Sequence, residues 1–190
     1  MGVRLKREYI VFWSAKYASN NTKSILKNLV EVGVADGLTL NFALNAVTNN
    51  GDQFKAYLYD VWGKVDLINP STKGITSQYE YLEINTTKKN LASFEKNLIF
   101  KQGLIPETFN GEDEPDSIVW LHIDLNSSPP TLDTLNYYWD RLEPGGIVLF
   151  DDYAQPAYVD TKQVVDEWLL GRTDGLFFQI PTSQAFIFKV

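Results

Sequence analysis

The sequence predicts one α/β domain built on a mainly parallel, seven-stranded sheet. Short apolar runs alternate with segments of helical spacing along most of the chain, and the last two runs are separated only by a turn. Strands that alternate with helices usually pair in parallel, because each helix returns the chain to the same end of the sheet. A chain of 190 residues is long enough for one such domain with a sizeable core.

Seven apolar runs are the candidate strands. The first five each read as a strand buried on both faces, as is typical of parallel sheets. The last two meet at Pro181 and Thr182 and predict a C-terminal antiparallel hairpin. The runs span residues 29–34, 55–62, 97–103, 117–124, 145–152, 175–181 and 183–190.

Four segments between these runs predict helices, because their apolar residues recur at helical spacing. The third segment follows two prolines, and the sequence from Glu143 to Gly146 is expected to end it. An N-terminal helical segment is expected over about residues 1–24, and residues 63–84 read as a long loop or lid. The four helical segments span residues 37–49, 85–96, 131–142 and 161–170.

Composition excludes several classes of site. The chain has no Cys and one His, which rules out disulfides, thiolate metal sites, a cysteine nucleophile and a two-His metalloprotease motif. A net charge of −7 argues against a nucleic-acid partner. The apolar run near the N-terminus is too short for a signal peptide or a membrane span. We therefore expect a cytoplasmic protein that binds no membrane.

A glycine turn follows the first predicted strand. Its spacing, Glu31-x-Gly33-x-x-x-Gly37, allows a ligand close to the backbone at Gly33 and a tight start of the next helix at Gly37. The second strand ends in Asp60, an acid placed to accept hydrogen bonds from two ribose hydroxyls. These features together indicate a cofactor that contains a nucleoside.

The same turn favours S-adenosylmethionine among such cofactors. A dinucleotide fingerprint would need a glycine where Ala35 stands, and the Lys-Ser/Thr of a Walker loop is missing. S-adenosylmethionine carries no phosphate, and Glu31 and Asp36 are available near its methionine end. NAD and a purely structural glycine turn stay open as alternatives.

Three carboxylates follow two neighbouring strands. Asp124 ends the fourth strand, and Asp151 and Asp152 end the fifth, with no basic residue beside them in the sequence. Crowded carboxylates have raised pKa values unless a cation neutralises them. A hard divalent ion such as Mg²⁺ is the simplest such cation, and helix capping is the alternative. His122 shares a strand face with Asp124, and it is either a buried hydrogen-bonded residue or a group that contacts the substrate.

Five segments resemble class I S-adenosylmethionine-dependent methyltransferases, and most closely the macrocin O-methyltransferase family, over roughly residues 25–170. They are LVEVGVADG (29–37), YLYDVWG (57–63), FKQGLIPETF (100–109), IVWLHIDLN (118–126) and LEPGGIVLFDDY (142–153). The resemblance implies a Rossmann-like, doubly wound sheet, one methyltransferase domain over residues 1–190, and an O-methyltransferase.

The resemblance also implies roles for individual residues. Glu31, Gly33 and Gly37 match the first cofactor motif, and Asp60 matches the ribose-binding acid. Gln102 and Gly103 fall where the third strand ends near the adenine. The three metal-binding acids of the family correspond to Asp124, Asp151 and Asp152, of which Asp124 also borders the cofactor.

The fourth-strand motif departs from the family at one position. The family has a second acid where this chain has Asn126, and an amide cannot take a proton at neutral pH. We therefore expect Asn126 or His122 to position the acceptor, which is a small molecule with a sugar or phenolic hydroxyl. Trp62 and Tyr153 are candidate walls of the site, with burial in the core as their alternative. A catalytically silent cofactor-binding module is the other reading, and the sequence leaves a homodimer open.

Overall fold

The computed structural model describes residues 3–63, 81–110 and 113–190. Residues 64–80, most of the predicted lid, lie outside the described residues. A mixed sheet forms the centre, in the order β3-β2-β1-β4-β5-β7-β6. Its strands are β1 Leu26–Val32, β2 Gln53–Asp60, β3 Leu98–Gln102, β4 Ile118–Ile123, β5 Leu142–Phe150, β6 Gly175–Gln179 and β7 Ala185–Lys189.

The strand order confirms the Rossmann-like prediction. β1 pairs in parallel with β2 on one side and with β4 on the other, so the strand order reverses between β1 and β4. Ligands of open α/β sheets bind beyond the carboxyl ends of the strands at such a switch point. β7 lies antiparallel between β5 and β6, as the C-terminal hairpin predicted.

Five α-helices lie within the described residues, and they cover both faces of the sheet. α1 and α2 pack on one face and α4 and α5 on the other, and alternate residues of each strand supply the two cores, Leu29 to one and Val30 to the other. The helices are α1 Val3–Asn21, α2 Leu38–Asn50, α3 Ile84–Asn90, α4 Ser128–Tyr138 and α5 Val159–Leu169.

Helix α1 runs antiparallel to β5 along the whole strand. Its last residue, Asn21, contacts the start of β5, where a Cβ added to Gly145 would lie 2.2 Å from the Asn21 carbonyl oxygen. Near its other end, Arg7 contacts Asp151, directly after the end of β5. The first turns of α1 therefore reach the carboxyl edge of the sheet. Among the described residues, no helix is long and apolar enough to cross a membrane.

Three of the predicted element boundaries and burial patterns were wrong. β3 is only half-buried, because it is the edge strand and pairs with β2 alone. α4 begins at Ser128, and the two prolines fill its first turn, where their missing N–H groups cost nothing. Residues 143–146 do not end a helix; they belong to β5, where a register shift against β4 takes up the extra residues.

Candidate active site

The carboxyl edge of the sheet brings together the ends of five parallel strands. The glycine turn, Asp60, Gln102, Asp124 and Asp151 each follow a different one of these strands. The strands pair side by side, so these residues surround one region beyond the switch point. The sequence-based placement of the site at this edge therefore agrees with the topology.

Gly33 is required by the neighbouring strand rather than only by a ligand. Its φ is +85°, and an added Cβ would lie 2.0 Å from the carbonyl oxygen of Asp124. Its N–H donates to the Tyr59 carbonyl at 2.8 Å. The close approach that the sequence assigned to a ligand is thus made by the chain after β4. Gly33 fixes the cofactor turn directly against the first acid of the carboxylate cluster.

Gly37 and Asp36 start helix α2. Gly37 has a φ of +82°, and an added Cβ would lie 2.9 Å from the Leu91 side chain. One carboxylate oxygen of Asp36 accepts the Leu38 N–H at 3.1 Å. This local bond satisfies a donor at the start of the helix. A cofactor contact for Asp36 stays a prediction.

Asp60 links the glycine turn to the chain after β2. One carboxylate oxygen accepts the Ala35 N–H at 2.8 Å, and the other accepts the Trp62 N–H at 2.9 Å. A carboxylate oxygen can accept two hydrogen bonds, so each oxygen keeps one acceptor direction. The two backbone bonds hold the half-buried carboxylate in place at the strand end, which is the arrangement that ribose binding needs.

Trp62 and Gln102 brace this end of the sheet. Trp62 is buried, and its indole N–H lies 2.9 Å from Thr87 Oγ1 and 3.1 Å from the Ala35 carbonyl oxygen. The Gln102 amide donates to the Val61 and Trp62 carbonyl oxygens at 3.1 and 3.2 Å. The prediction that Trp62 forms an open wall is wrong, because the ring packs into the core against Phe100.

Gly103 continues from the end of β3. Its φ is +146°, and its N–H donates to the Asp60 carbonyl oxygen at 3.0 Å. This bond ties the end of β3 to the end of β2. Contacts of Gln102 and Gly103 with an adenine stay predictions.

Glu31 and His122 form a buried pair beneath the edge. His122 Nδ1 lies 2.6 Å from a Glu31 carboxylate oxygen, and both side chains are completely buried. His122 Nε2 lies 3.8 Å from Asp151 Oδ1. Burial alone would lower the pKa of His122, but the two carboxylates outweigh it and raise that pKa to about 10. The two carboxylates therefore favour the protonated form of the His122 ring.

The structure favours the alternative for His122, a buried and hydrogen-bonded residue. One carboxylate oxygen of Glu31 contacts His122, and the other has no partner among the described residues, so a cofactor contact of Glu31 stays a prediction. The pair joins β1 to β4, whose register sets Glu31 directly opposite His122.

Asp124, Asp151 and Asp152 come together as predicted. One carboxylate oxygen from each lies within 4.8 Å of the others. Burial and the charge of Asp151 raise the pKa of Asp124, and burial also raises the pKa of Asp152. Burial would raise the pKa of Asp151 as well, but His122 and Arg7 outweigh it and lower that pKa. Asp151 therefore differs from its two neighbours because positively charged groups lie beside it.

Two residues that the sequence analysis missed hold Asp151. Arg7 Nη2 donates to the Asp151 carboxylate and, at 2.7 Å, to Asp152 Oδ1. Gln184 Nε2 donates to Asp151 Oδ1 at 2.7 Å. The prediction that no basic residue lies beside the acids was wrong. Arg7 lies 144 residues away in the chain, and no local pattern links it to Asp151.

Asn126 lies in the loop between β4 and α4, two residues after Asp124. Its φ is +52°, a left-handed conformation that Asn tolerates better than most residues. Its buried side-chain oxygen has no hydrogen-bond partner among the described residues. A buried polar atom without a partner is costly, so an unfilled acceptor here indicates a position for a ligand donor.

Tyr153 does not form a wall of the site. Its ring is buried and packs against Phe177, and its hydroxyl bonds to Asp166 and Lys162. The core alternative for this residue is therefore correct.

The sequence matches the family described as "Methyltransferase domain" over residues 30–153. This region contains every site residue that the sequence predicted, while Arg7 and Gln184 lie outside it. No curated protein matches the sequence.

Solved structures of methyltransferases share the fold at low sequence identity. The O-methyltransferase NovP superposes with a TM-score of 0.79 and 18% identity, covering 97% of this chain and 80% of NovP. CalS11, a TDP-rhamnose 3′-O-methyltransferase of calicheamicin biosynthesis, has a TM-score of 0.68 and 16% identity, covering 96% and 78%. SAH-bound PaMTH1 of Podospora anserina has a TM-score of 0.60 and 14% identity, covering 100% and 80%. With the family match over most of the chain, the glycine turn and Asp60, these findings place the protein in the methyltransferase domain family, as a class I S-adenosylmethionine-dependent methyltransferase.

Proposed function

We propose that the protein transfers a methyl group from S-adenosylmethionine to a hydroxyl oxygen of a small molecule, with Mg²⁺ or a similar divalent cation held by Asp124, Asp151 and Asp152. The observation that carries this proposal is a contact between two parts of the site. We call residues 33–37 and Asp60 the cofactor half, and Asp124, Asp151 and Asp152 the carboxylate half. Gly33 of the cofactor turn packs against the Asp124 backbone, so the cofactor turn and the carboxylate cluster share a border. NovP and CalS11, which share the fold, are named as O-methyltransferases.

The cofactor half binds S-adenosylmethionine and orients its methyl group. S-adenosylmethionine supplies an electrophilic methyl group on a sulfonium. Asp60 accepts hydrogen bonds from the ribose hydroxyls through the acceptor directions that Ala35 and Trp62 leave. The left-handed turns at Gly33 and Gly37 hold the backbone that faces the cofactor against Asp124 and Leu91. Membership of the macrocin-like subfamily stays part of the proposal.

The carboxylate half fits a hard cation. Its donors are oxygens only, within 4.8 Å of one another, and burial raises the pKa values of Asp124 and Asp152, so a cation beside them would favour their ionised form. A bound divalent cation would supply Lewis acidity that makes a hydroxyl easier to ionise.

The acceptor side lacks a strong base among the residues described. Asn126 can accept a hydrogen bond from an acceptor hydroxyl through its unpartnered oxygen, but it cannot remove the proton. His122 is buried, and a pKa of about 10 keeps it protonated at neutral pH. This arrangement favours acidic hydroxyls, such as those of catechols, over sugar hydroxyls.

A direct assay tests the proposal. The purified protein is incubated with S-adenosylmethionine, Mg²⁺ and either a catechol or a deoxysugar nucleotide, and mass spectrometry detects the methylated product and the demethylated cofactor. We expect product with the catechol, and none with Asp124→Asn. Binding of S-adenosylmethionine without turnover of either acceptor class would instead support the silent cofactor-binding module.

A further inference from the structure

Arg7 binds two of the three carboxylates that a divalent cation would use. Its Nη2 donates to the carboxylates of both Asp151 and Asp152 and to the Asp151 carbonyl oxygen at 3.1 Å. The other Asp151 oxygen accepts from Gln184. Each carboxylate oxygen of Asp151 therefore already accepts a hydrogen bond, and one of them accepts it from a positively charged group.

Arg7 reaches the cluster because α1 runs along β5. The helix is anchored at its far end, where Asn21 packs against Gly145, and in its middle, where Val11 and Ala15 are fully buried. The turn that carries Arg7 has one buried side chain, Glu8, while Leu5 and Tyr9 are exposed. This first part of α1 can leave the edge by exposing Glu8, while the middle of the helix stays buried.

A guanidinium and a metal ion cannot both bind these oxygens closely. A divalent cation lies about 2.0–2.6 Å from its carboxylate oxygens. Arg7 Nη2 is already 2.7 Å from Asp152 Oδ1. Two cations on the same oxygens repel strongly at such separations, especially where the site is partly buried.

We propose that Arg7 and the divalent cation compete for Asp151 and Asp152, so that Arg7 sets the metal affinity of the site and metal binding releases the first turns of α1. The inference rests on the metal site of the proposed function. Without the metal, Arg7 keeps the cluster neutralised and the edge closed. When the metal binds, the start of α1 opens beside the acceptor region.

Calorimetric titration with Mg²⁺ alone measures the competition. We compare the wild type with Arg7→Met and with Lys6→Met, a control that removes a like charge from the neighbouring, exposed position. Loss of a charged hydrogen-bonding competitor should raise the Mg²⁺ affinity of Arg7→Met by about tenfold or more, and Lys6→Met should change it by less than about twofold. Equal affinities of the wild type and Arg7→Met would overturn the competition while leaving the metal site intact.

Limited trypsin digestion of the wild type gives a second readout that needs no Arg7 variant. Mg²⁺ should accelerate cleavage after Lys6 and Arg7, because local opening exposes these bonds. Asp124→Asn removes a metal ligand that Arg7 does not contact, and it should abolish this acceleration. Mg²⁺ that binds the wild type without accelerating cleavage would overturn the release of α1. Absence of Mg²⁺ binding in the wild type and in Arg7→Met would overturn the metal site itself, and the competition with it.

Discussion

The two halves of the carboxyl edge are held in place in different ways. In the cofactor half, Asp60 is fixed by backbone N–H groups of the neighbouring turn and of its own loop. In the carboxylate half, Asp151 is fixed by the side chains of Arg7 and Gln184, from the first helix and the final hairpin. The N–H donors to Asp60 belong to the backbone, so their positions follow from the topology. The donors to Asp151 are side chains, so they depend on which residues the first helix and the final hairpin carry. The difference predicts that the two halves respond separately to mutation.

The largest effect on stability is expected from a substitution at Gly33, where the cofactor half contacts the carboxylate half. In Gly33→Ala the new Cβ would lie 2.0 Å from the Asp124 carbonyl, and the residue would also keep a φ of +85°. We expect a loss of about 3–5 kcal/mol in the free energy of unfolding, measured by urea denaturation. Gly51→Ala is the matched control, because its φ is +79° but nothing lies within 4 Å of an added Cβ.

The control should lose about 1–2 kcal/mol, the cost of the left-handed conformation alone. Similar losses in both variants would show that the contact between Gly33 and Asp124 does not constrain the edge. The two halves would then be less closely joined than the structure indicates.

The second-largest effect is expected when the cation is removed from the carboxylate half. A chelator should lower methyl transfer by about hundredfold or more, and excess Mg²⁺ should restore it, because the cation supplies several kcal/mol of charge stabilisation. Cofactor affinity should not change, since Asp60 and the glycine turn do not use the cation. Full activity in excess chelator would favour the alternative in which these acids only cap and brace the strand ends.

These expectations separate what the sequence could predict from what it could not. The strands and the glycine turn follow from local patterns of apolar residues and glycines, and the doubly wound order follows from the family resemblance. The pairing of Glu31 with His122 and of Arg7 with Asp151 spans 91 and 144 residues, and each partner looks like a free site residue in isolation. The sequence therefore located the edge correctly but did not show that Glu31 and His122 contact each other there.

The boundaries of α4 and β5 were predicted wrongly for a related reason. The two prolines before residue 131 were predicted to precede a helix, but they lie in its first turn, where prolines are tolerated. The fifth strand was predicted to begin at Gly145, but it begins at Leu142, and Gly145 makes room for the end of α1. In each case the outcome depends on a neighbour that the local sequence does not show.

The smallest effect concerns the acceptor. Asn126→Asp would add a base two residues after Asp124, where the amide oxygen lacks a partner among the described residues. We expect the variant to gain about tenfold in activity toward a deoxysugar acceptor relative to a catechol, the lower range of general-base contributions. Asn126→Ser is the control, because it keeps a small polar group without a base. Efficient methylation of the sugar by the wild type, with no gain in Asn126→Asp, would place the base elsewhere.

Titration calorimetry with S-adenosylhomocysteine tests the separation of the two halves most directly. Asp60→Ala should lose about 1.5–3 kcal/mol of binding free energy, the scale of hydrogen bonds to a charged group. Asp152→Asn, which alters a residue that contacts Arg7, should bind S-adenosylhomocysteine as the wild type does while losing metal-dependent turnover. Unchanged affinity in Asp60→Ala, or an equal loss in Asp152→Asn, would contradict the assignment of cofactor and metal to separate halves of this edge.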